Sequence, residues 1–194
     1  MRKHSKARGT VRPGSARPVE DGQTGRSPAR RASVRFGILF LLLVSLFTYL
    51  ASTQIAWKYV HDPLCEWVAW TAVPFLALWG EASSAGSLLN LDGFSVSIVD
   101  ACDGVLPSYI YLSAVIAFPS RWRDKLWGIL LGLPAIFLIN LIRVVTLVIV
   151  GARWPDLFEG VHIYVWQALV IALSMALWIL WAERFAWTAS RVRA

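Results

Sequence analysis

Residues 126–150 read LWGILLGLPAIFLINLIRVVTLVIV, and this stretch decides the class of the protein. A helix needs about 20 consecutive apolar residues to cross the hydrocarbon core of a bilayer, and this run is long enough. Its one charged residue is Arg143. An arginine inside a membrane is costly and generally faces a partner or a wet cavity. The stretch therefore predicts a transmembrane helix that carries a functional side chain.

The composition agrees with a membrane protein, because 57% of the residues are hydrophobic, 11 are Trp and the mean hydropathy is +0.55. Three further stretches are predicted to span a bilayer, namely 36–57, 161–182 and a shorter one, 104–118 together with some of the residues before it. A fifth stretch, 63–80, carries Glu66 and a central Pro74, and it is predicted to lie in the outer interface or to enter the membrane and return. The predicted fold is an all-α integral membrane protein with four transmembrane helices.

The basic residues predict the orientation of these helices. Ten of the 19 Lys and Arg lie in residues 1–35. If that tail is cytoplasmic and 63–80 does not cross, 16 of the 19 basic residues are cytoplasmic, and eight of the 12 acidic residues lie outside or at the outer interface. If 63–80 does cross, the basic cluster at 121–125 and the C-terminal arginines move outside, against the positive-inside rule. Four spans with both termini in the cytoplasm are therefore predicted.

Three regions follow from this organisation: a disordered basic cytoplasmic tail at 1–35, a membrane-embedded domain at 36–187 and a basic cytoplasmic end at 188–194. The tail is rich in Gly, Pro, Ser and Arg and has no apolar periodicity. It contains no aromatic residue on which bases could stack, so contact with anionic membrane lipid is favoured over nucleic acid. No metal or cofactor is predicted, because the chain lacks C-x-x-C, H-E-x-x-H, P-loop and G-x-G-x-x-G motifs.

A β-hairpin is predicted between the first two spans. Residues 87–99 read SLLNLDGFSVSIV, in which Asp92-Gly93 separates two short apolar stretches. Asp-Gly between such stretches is a signal for a two-residue turn, and the alternation of Ser with Val and Ile after it is typical of a strand. The hairpin is expected on the outer face, leading directly to Cys102.

This topology places three potentially catalytic residues, from three different spans, at a similar depth near the outer surface of the membrane. Cys102 lies at the outer mouth of the second span, and His162 opens the fourth. Arg143 lies about seven residues, or roughly 10 Å, below the outer end of the third span. Each has a simpler explanation: the cysteine packs as a small residue, the histidine is a surface or capping residue, and the arginine pairs with Asp100 or Asp103 or extends its charged end toward the outer surface.

Together these side chains suffice for acyl transfer by a thiol. The attacking species is the thiolate of Cys102, and flanking carboxylates oppose its formation. The guanidinium of Arg143 offsets that opposition and can donate hydrogen bonds to an oxyanion. His162 can take the thiol proton and return it to the leaving amine.

The same residues carry a resemblance to a known family. ACDG around Cys102, N-x-x-R from Asn140 to Arg143, and His162 at the start of the last span resemble the exosortase/archaeosortase family of membrane transpeptidases. The resemblance covers roughly residues 36–184, and the short length and the run ACDGVLPSYIYLSAVIAFP suggest the compact exosortase H-like subgroup. Family members more often carry a small residue such as Ser at the position of Asp103.

The resemblance implies a function for the chain. It implies a cysteine protease or transpeptidase that cleaves C-terminal sorting signals of exported proteins and transfers the acyl group to an acceptor. Its partners would be exported proteins whose signal consists of a motif, a transmembrane helix and a basic cluster. The implied roles are nucleophile for Cys102, oxyanion stabiliser for Arg143 and general acid/base for His162. The implied location is the inner (cytoplasmic) cell membrane, as a multi-pass protein with its site on the extracytoplasmic side.

Three other interpretations remain open from the sequence. The chain could be a transporter or scaffold subunit in which Arg143 forms a structural ion pair and Cys102 is dispensable. It could be a lipid acyltransferase that uses the same thiol. A disulfide between Cys65 and Cys102 is also conceivable, because both cysteines are predicted outside, and it would block the nucleophile.

Overall fold

The computed structural model describes residues 28–99 and 102–186, which are mainly helical and include one small antiparallel sheet. In chain order the helices are α1 (Pro28–Ala51), α2 (Gln54–Ala56), α3 (Asp62–Leu76), α4 (Val105–Ala117), α5 (Trp122–Arg153), α6 (Pro155–Gly160) and α7 (Gln167–Trp181). Segments of π-helix cover Trp57–His61, Val161–Trp166 and Ala182–Ala186. The strands β1 (Ala82–Ala85), β2 (Leu88–Leu91) and β3 (Phe94–Ser97) lie between α3 and α4.

Within the described residues, three helices are long and apolar enough to cross a membrane. They are Arg30–Ala51, Trp122–Arg153 and Pro155–Phe185. They correspond to three of the four predicted spans. The first helix begins at Pro28 and ends at Ala51, so residues 28–35 are helical and do not belong to a disordered tail. The rest of the predicted tail and the predicted C-terminal end at 188–194 lie outside the described residues.

The remaining predicted span, 104–118, forms a shorter helix. Helix α4 has 13 residues, which corresponds to about 20 Å of length, whereas the hydrocarbon core is about 30 Å thick. It ends where Phe118 takes an extended conformation before Pro119, since the residue before a proline avoids the helical region. Helix α4 packs against α1, α5 and α7. A fourth crossing and the orientation of the bundle stay predictions.

The orientation predicts the result of a fusion experiment. A topology reporter placed after Lys125 or after residue 194 should report the cytoplasm, and one placed after Glu81 or Asp156 should report the opposite side. The basic clusters cause this result by resisting translocation. Alkaline phosphatase and green fluorescent protein fusions at the four positions measure it. An external Lys125 or an external C-terminus contradicts the four-span arrangement.

The ambiguous stretch 63–80 contains α3, which is not among the candidate spans. One face of α3 is buried against the sheet and α5; its buried residues are Cys65, Val68, Ala69, Ala72 and Leu76. The opposite face exposes large apolar side chains, including Trp67 and Trp70. One face of α3 is thus packed and the other exposes aromatic side chains, and the position of 63–80 in the outer interface or as an entering and returning segment stays a prediction.

The predicted hairpin is confirmed and has one additional strand. Strands β2 and β3 pair antiparallel through a two-residue turn at Asp92 and Gly93, whose φ angles are 51° and 85°. Positive φ at both central residues is the geometry that Asp-Gly favours in a tight hairpin. Strand β1 pairs with the other edge of β2, and the sequence ASSA gave no alternating pattern that predicts it.

The sheet is anchored to the helices by its middle strand. Leu89 and Leu91 of β2 are fully buried, and they join a cluster that includes Val68 of α3 and Val144 and Val148 of α5. A second cluster at the opposite end of α5 contains Tyr111, Val115, Ile136 and Trp181. The first cluster is the one that positions the functional residues, because it also contains Cys102.

Candidate active site

Cys102 lies in the short turn that joins the sheet to α4. Its backbone N–H donates to the carbonyl of Val99 at 2.7 Å, and its side chain is only 8% exposed. Gly104, two residues later, has φ 83° and faces Asn140 so closely that a Cβ atom would lie 3.2 Å from the side-chain Cγ. Glycine is required here because it tolerates the left-handed conformation and leaves room for the turn to rest on α5.

The structure brings the predicted nucleophile and the predicted base together. The Sγ atom of Cys102 lies 3.3 Å from Nε2 of His162. His162 belongs to the π-helical segment Val161–Trp166, and the ring of Phe158 packs beside its imidazole with centroids 5.9 Å apart. Segments of π-helix recur at functional sites because the extra residue in the turn redirects a side chain. The two residues are 60 positions apart in sequence, so the contact depends on the packing of the bundle.

Asn140 connects the motif on α5 to the cysteine. Its Nδ2 group donates a hydrogen bond of 2.7 Å to the backbone carbonyl of Cys102, and its side chain is 1% exposed. Asn140 and Arg143 are three residues apart, so they lie on the same face of the helix. The N-x-x-R spacing therefore places the amide that holds the cysteine turn and the guanidinium on one side of α5.

Arg143 is buried within the bundle and is 3% exposed. Its helix, α5, packs against the segment Val161–Trp166, which carries His162. Together with Gln167 it lines a cavity of about 200 Å³ between α4, α5 and α7, whose remaining walls are mostly apolar. Asp100, one of the two carboxylates proposed to pair with Arg143, lies outside the described residues.

Cys65 is not joined to Cys102 by a disulfide, which corrects one of the alternatives left open by the sequence. Its side chain is buried on the inner face of α3. Cys65 and Cys102 belong to the same apolar cluster, and Cys102 contacts the imidazole of His162. In residues 28–99 and 102–186, no group of three or more His, Cys, Asp or Glu side chains is arranged to hold a metal ion.

One polar contact at the site was not predicted from the sequence. The carboxylate of Asp103 is bonded to Nδ1 of His61, and both side chains are buried. His61 ends the π-helical segment before α3. The only signal in the sequence was that His61 lies on the same predicted side of the membrane as Cys102; nothing in its spacing indicates Asp103 as its partner.

Comparison with known proteins gives one family. A family model described as transmembrane exosortase matches residues 24–182 of the chain. The matched region includes Cys102, Asn140, Arg143 and His162. No curated protein and no solved structure shows a significant match.

Proposed function

Because this chain belongs to the transmembrane exosortase family, as its motifs predicted, we propose that it is a membrane cysteine transpeptidase that acts on the C-terminal sorting signals of exported proteins. Family membership by itself indicates a membrane protein of the transpeptidase or protease type. The finer assignment rests on the side chains around Cys102.

The observation that carries the proposal is the distance of 3.3 Å between the thiol of Cys102 and Nε2 of His162. A nucleophile and its base must lie within hydrogen-bond reach, and sulfur contacts are longer than those of oxygen. A packing cysteine needs no such partner. The buried guanidinium of Arg143, on the helix that packs against the segment bearing His162, adds the third group of the proposed acyl transfer.

The reaction follows from these positions. His162 takes the proton of the Cys102 thiol through Nε2, and the sulfur attacks the scissile carbonyl carbon to give a tetrahedral oxyanion. The bond from carbon to nitrogen then breaks, and the leaving amine takes the proton from His162. This leaves a thioester on Cys102. An acceptor nucleophile attacks the thioester and gives its proton to His162, and the thiol is restored when that proton returns to sulfur.

The proposed role of Arg143 is to stabilise the oxyanion. A guanidinium presents several N–H donors in a fixed plane, and in a site shielded from water such donors stabilise developing negative charge strongly. The hydrogen bond from Asn140 to the Cys102 carbonyl fixes the turn that carries the nucleophile relative to this guanidinium. Asn140 thus acts as a positioning residue, while Arg143 acts on the reacting atoms.

The substrate class and the side of the membrane are part of the proposal. A signal made of a short motif, a transmembrane helix and a basic cluster would insert beside the bundle with its basic end in the cytoplasm. Its motif would then reach the outer interface, where the predicted topology puts Cys102. The proposed location is the inner cell membrane, with the site on the extracytoplasmic side.

A second candidate is a lipid acyltransferase that uses the same thiol. The mostly apolar cavity of about 200 Å³ beside Arg143 favours it, since such a space suits an acyl chain. This candidate differs from the first in the group that becomes attached to Cys102: a fatty acyl group in one case and a peptidyl group in the other.

The chemical identity of the group on Cys102 tests both candidates. The enzyme is co-expressed with an exported protein bearing such a C-terminal signal, and membranes are searched for an adduct of Cys102 that neutral hydroxylamine releases. Hydroxylamine cleaves thioesters, so a released peptide fragment supports the transpeptidase. A released fatty acyl group without a peptide adduct supports the lipid acyltransferase.

A further inference from the structure

The turn that carries Cys102 is held by side chains as well as by its own backbone. Asp103 Oδ1 accepts a hydrogen bond of 2.8 Å from the backbone N–H of Val105, the first residue of α4. An acidic side chain that accepts from the first turn of a helix stabilises the helix start. From the other side, Asn140 binds the carbonyl of Cys102. The turn is therefore held both at Cys102 itself and at Asp103, the residue that follows it.

His61 holds the second oxygen of the same carboxylate. Its Nδ1 atom is bonded to Oδ2 of Asp103, and because an ionised carboxylate can only accept, Nδ1 is the donor. Asp103 is 1% exposed and His61 is 6% exposed. A buried carboxylate is costly unless its oxygens are satisfied, so His61 provides an interaction that Asp103 requires. The ring of Trp57 stacks on the imidazole at 5.0 Å and restricts its orientation.

The pair also bears on the charge beside the nucleophile. Asp103 follows Cys102 directly in the chain, and a carboxylate next to a thiol opposes formation of the thiolate. A hydrogen bond from His61 withdraws part of that negative charge and directs the carboxylate toward the imidazole. An aspartate at position 103, where the family more often has a small residue, is thus compatible with a reactive thiol at Cys102.

We infer that His61 is a positioning residue for the thiol of Cys102, acting through Asp103. It holds the turn so that the sulfur faces His162, and it offsets the charge of the carboxylate that follows the nucleophile in the chain. This inference rests on the proposed function, because it assigns a role in the same acyl-transfer reaction. His61 is not assigned any contact with the substrate.

Processing of a co-expressed substrate tests this role. His61→Ala should lower processing per unit of membrane-inserted enzyme by about 100-fold, the cost typical of a small misplacement of a catalytic group. His61→Asn should recover most of the rate, because its amide nitrogen can donate from nearly the position of Nδ1. Asp62→Asn is the matched control, since Asp62 is the exposed neighbour of His61, and it should process normally.

A second measurement needs no substrate. In a Cys65→Ala background, the rate of alkylation of Cys102 by N-ethylmaleimide reports the reactivity of the thiol. His61→Ala should slow alkylation by about tenfold, because a smaller fraction of the thiol is then ionised and the thiolate is the reacting species. His61→Asn should restore the rate. A contact that only stabilises the fold would lower the amount of enzyme and leave both rates per molecule unchanged.

The results separate this inference from the proposed function. Normal processing by His61→Ala, together with loss of processing by Cys102→Ala, overturns the positioning role and leaves the transpeptidase intact. An unchanged or faster alkylation of Cys102 in His61→Ala overturns it as well. Normal processing by Cys102→Ala contradicts the proposed function itself.

Discussion

Cys102→Ala is expected to abolish processing of a co-expressed substrate. Without the sulfur no covalent bond to the scissile carbonyl can form, and the remaining groups provide only oxyanion stabilisation and binding. Loss of a nucleophile from an enzyme that works through an acyl intermediate typically costs about 10⁶-fold in rate. The measurement is the amount of processed substrate per unit of enzyme in the membrane fraction. A Cys102→Ala enzyme that processes at the normal rate contradicts the assignment of the nucleophile.

Cys65→Ala is a closely matched control for this experiment. Cys65 and Cys102 have similar exposures, 6% and 8%, and belong to the same apolar cluster, so removal of either sulfur should change packing to a similar degree. The thiol of Cys102 lies 3.3 Å from Nε2 of His162. Cys65→Ala should therefore keep its processing activity. Equal losses in the two variants would point to a packing role for both cysteines.

Arg143→Lys and Arg143→Ala are both expected to reduce processing severely at near-normal abundance. Lysine keeps the positive charge but loses the planar set of donors that a guanidinium presents. Removal of one oxyanion donor typically costs about 100- to 1,000-fold in rate, or roughly 3–4 kcal/mol. If Arg143 only balanced Asp100 or Asp103, lysine would serve nearly as well. An active Arg143→Lys enzyme would assign Arg143 to a structural ion pair.

Arg153→Lys is the control for this pair of variants. Arg153 lies on the same helix, is exposed, and donates a hydrogen bond of 3.0 Å to the backbone carbonyl of Trp79. A lysine can replace this single contact, so processing by Arg153→Lys should stay close to normal. Processed substrate and membrane-inserted enzyme are measured together for all three variants. If Arg153→Lys lost as much processing as Arg143→Lys, the loss would be a general effect of replacing an arginine on α5. It would then give no support for a role of Arg143 at the oxyanion.

Several features of this protein were determined by local sequence. The apolar run at 126–150 predicts a helix long enough to span a bilayer, since in a bilayer backbone groups must be satisfied within the segment, and the structure has a helix there. Asp92-Gly93 fixed the hairpin, because few other residue pairs adopt positive φ at both positions. The motifs around Cys102 and Arg143 were sufficient to predict the family. These signals act over a few residues or a single helix, so they can be read without the fold.

Only the tertiary structure decided how the site is held together. The contact of Cys102 with His162 joins residues 60 positions apart, and that of His61 with Asp103 joins residues 42 positions apart. Charge and hydrophobicity place such residues at similar depths, but they do not specify which helices are neighbours or how each is rotated. Strand β1 could not be predicted from its sequence either, since ASSA has no strand pattern, and its strand conformation is seen only in its pairing with β2. The role of His61 depends on α3 packing against the sheet and α5, and that arrangement results from complementary side-chain shapes across the whole apolar cluster.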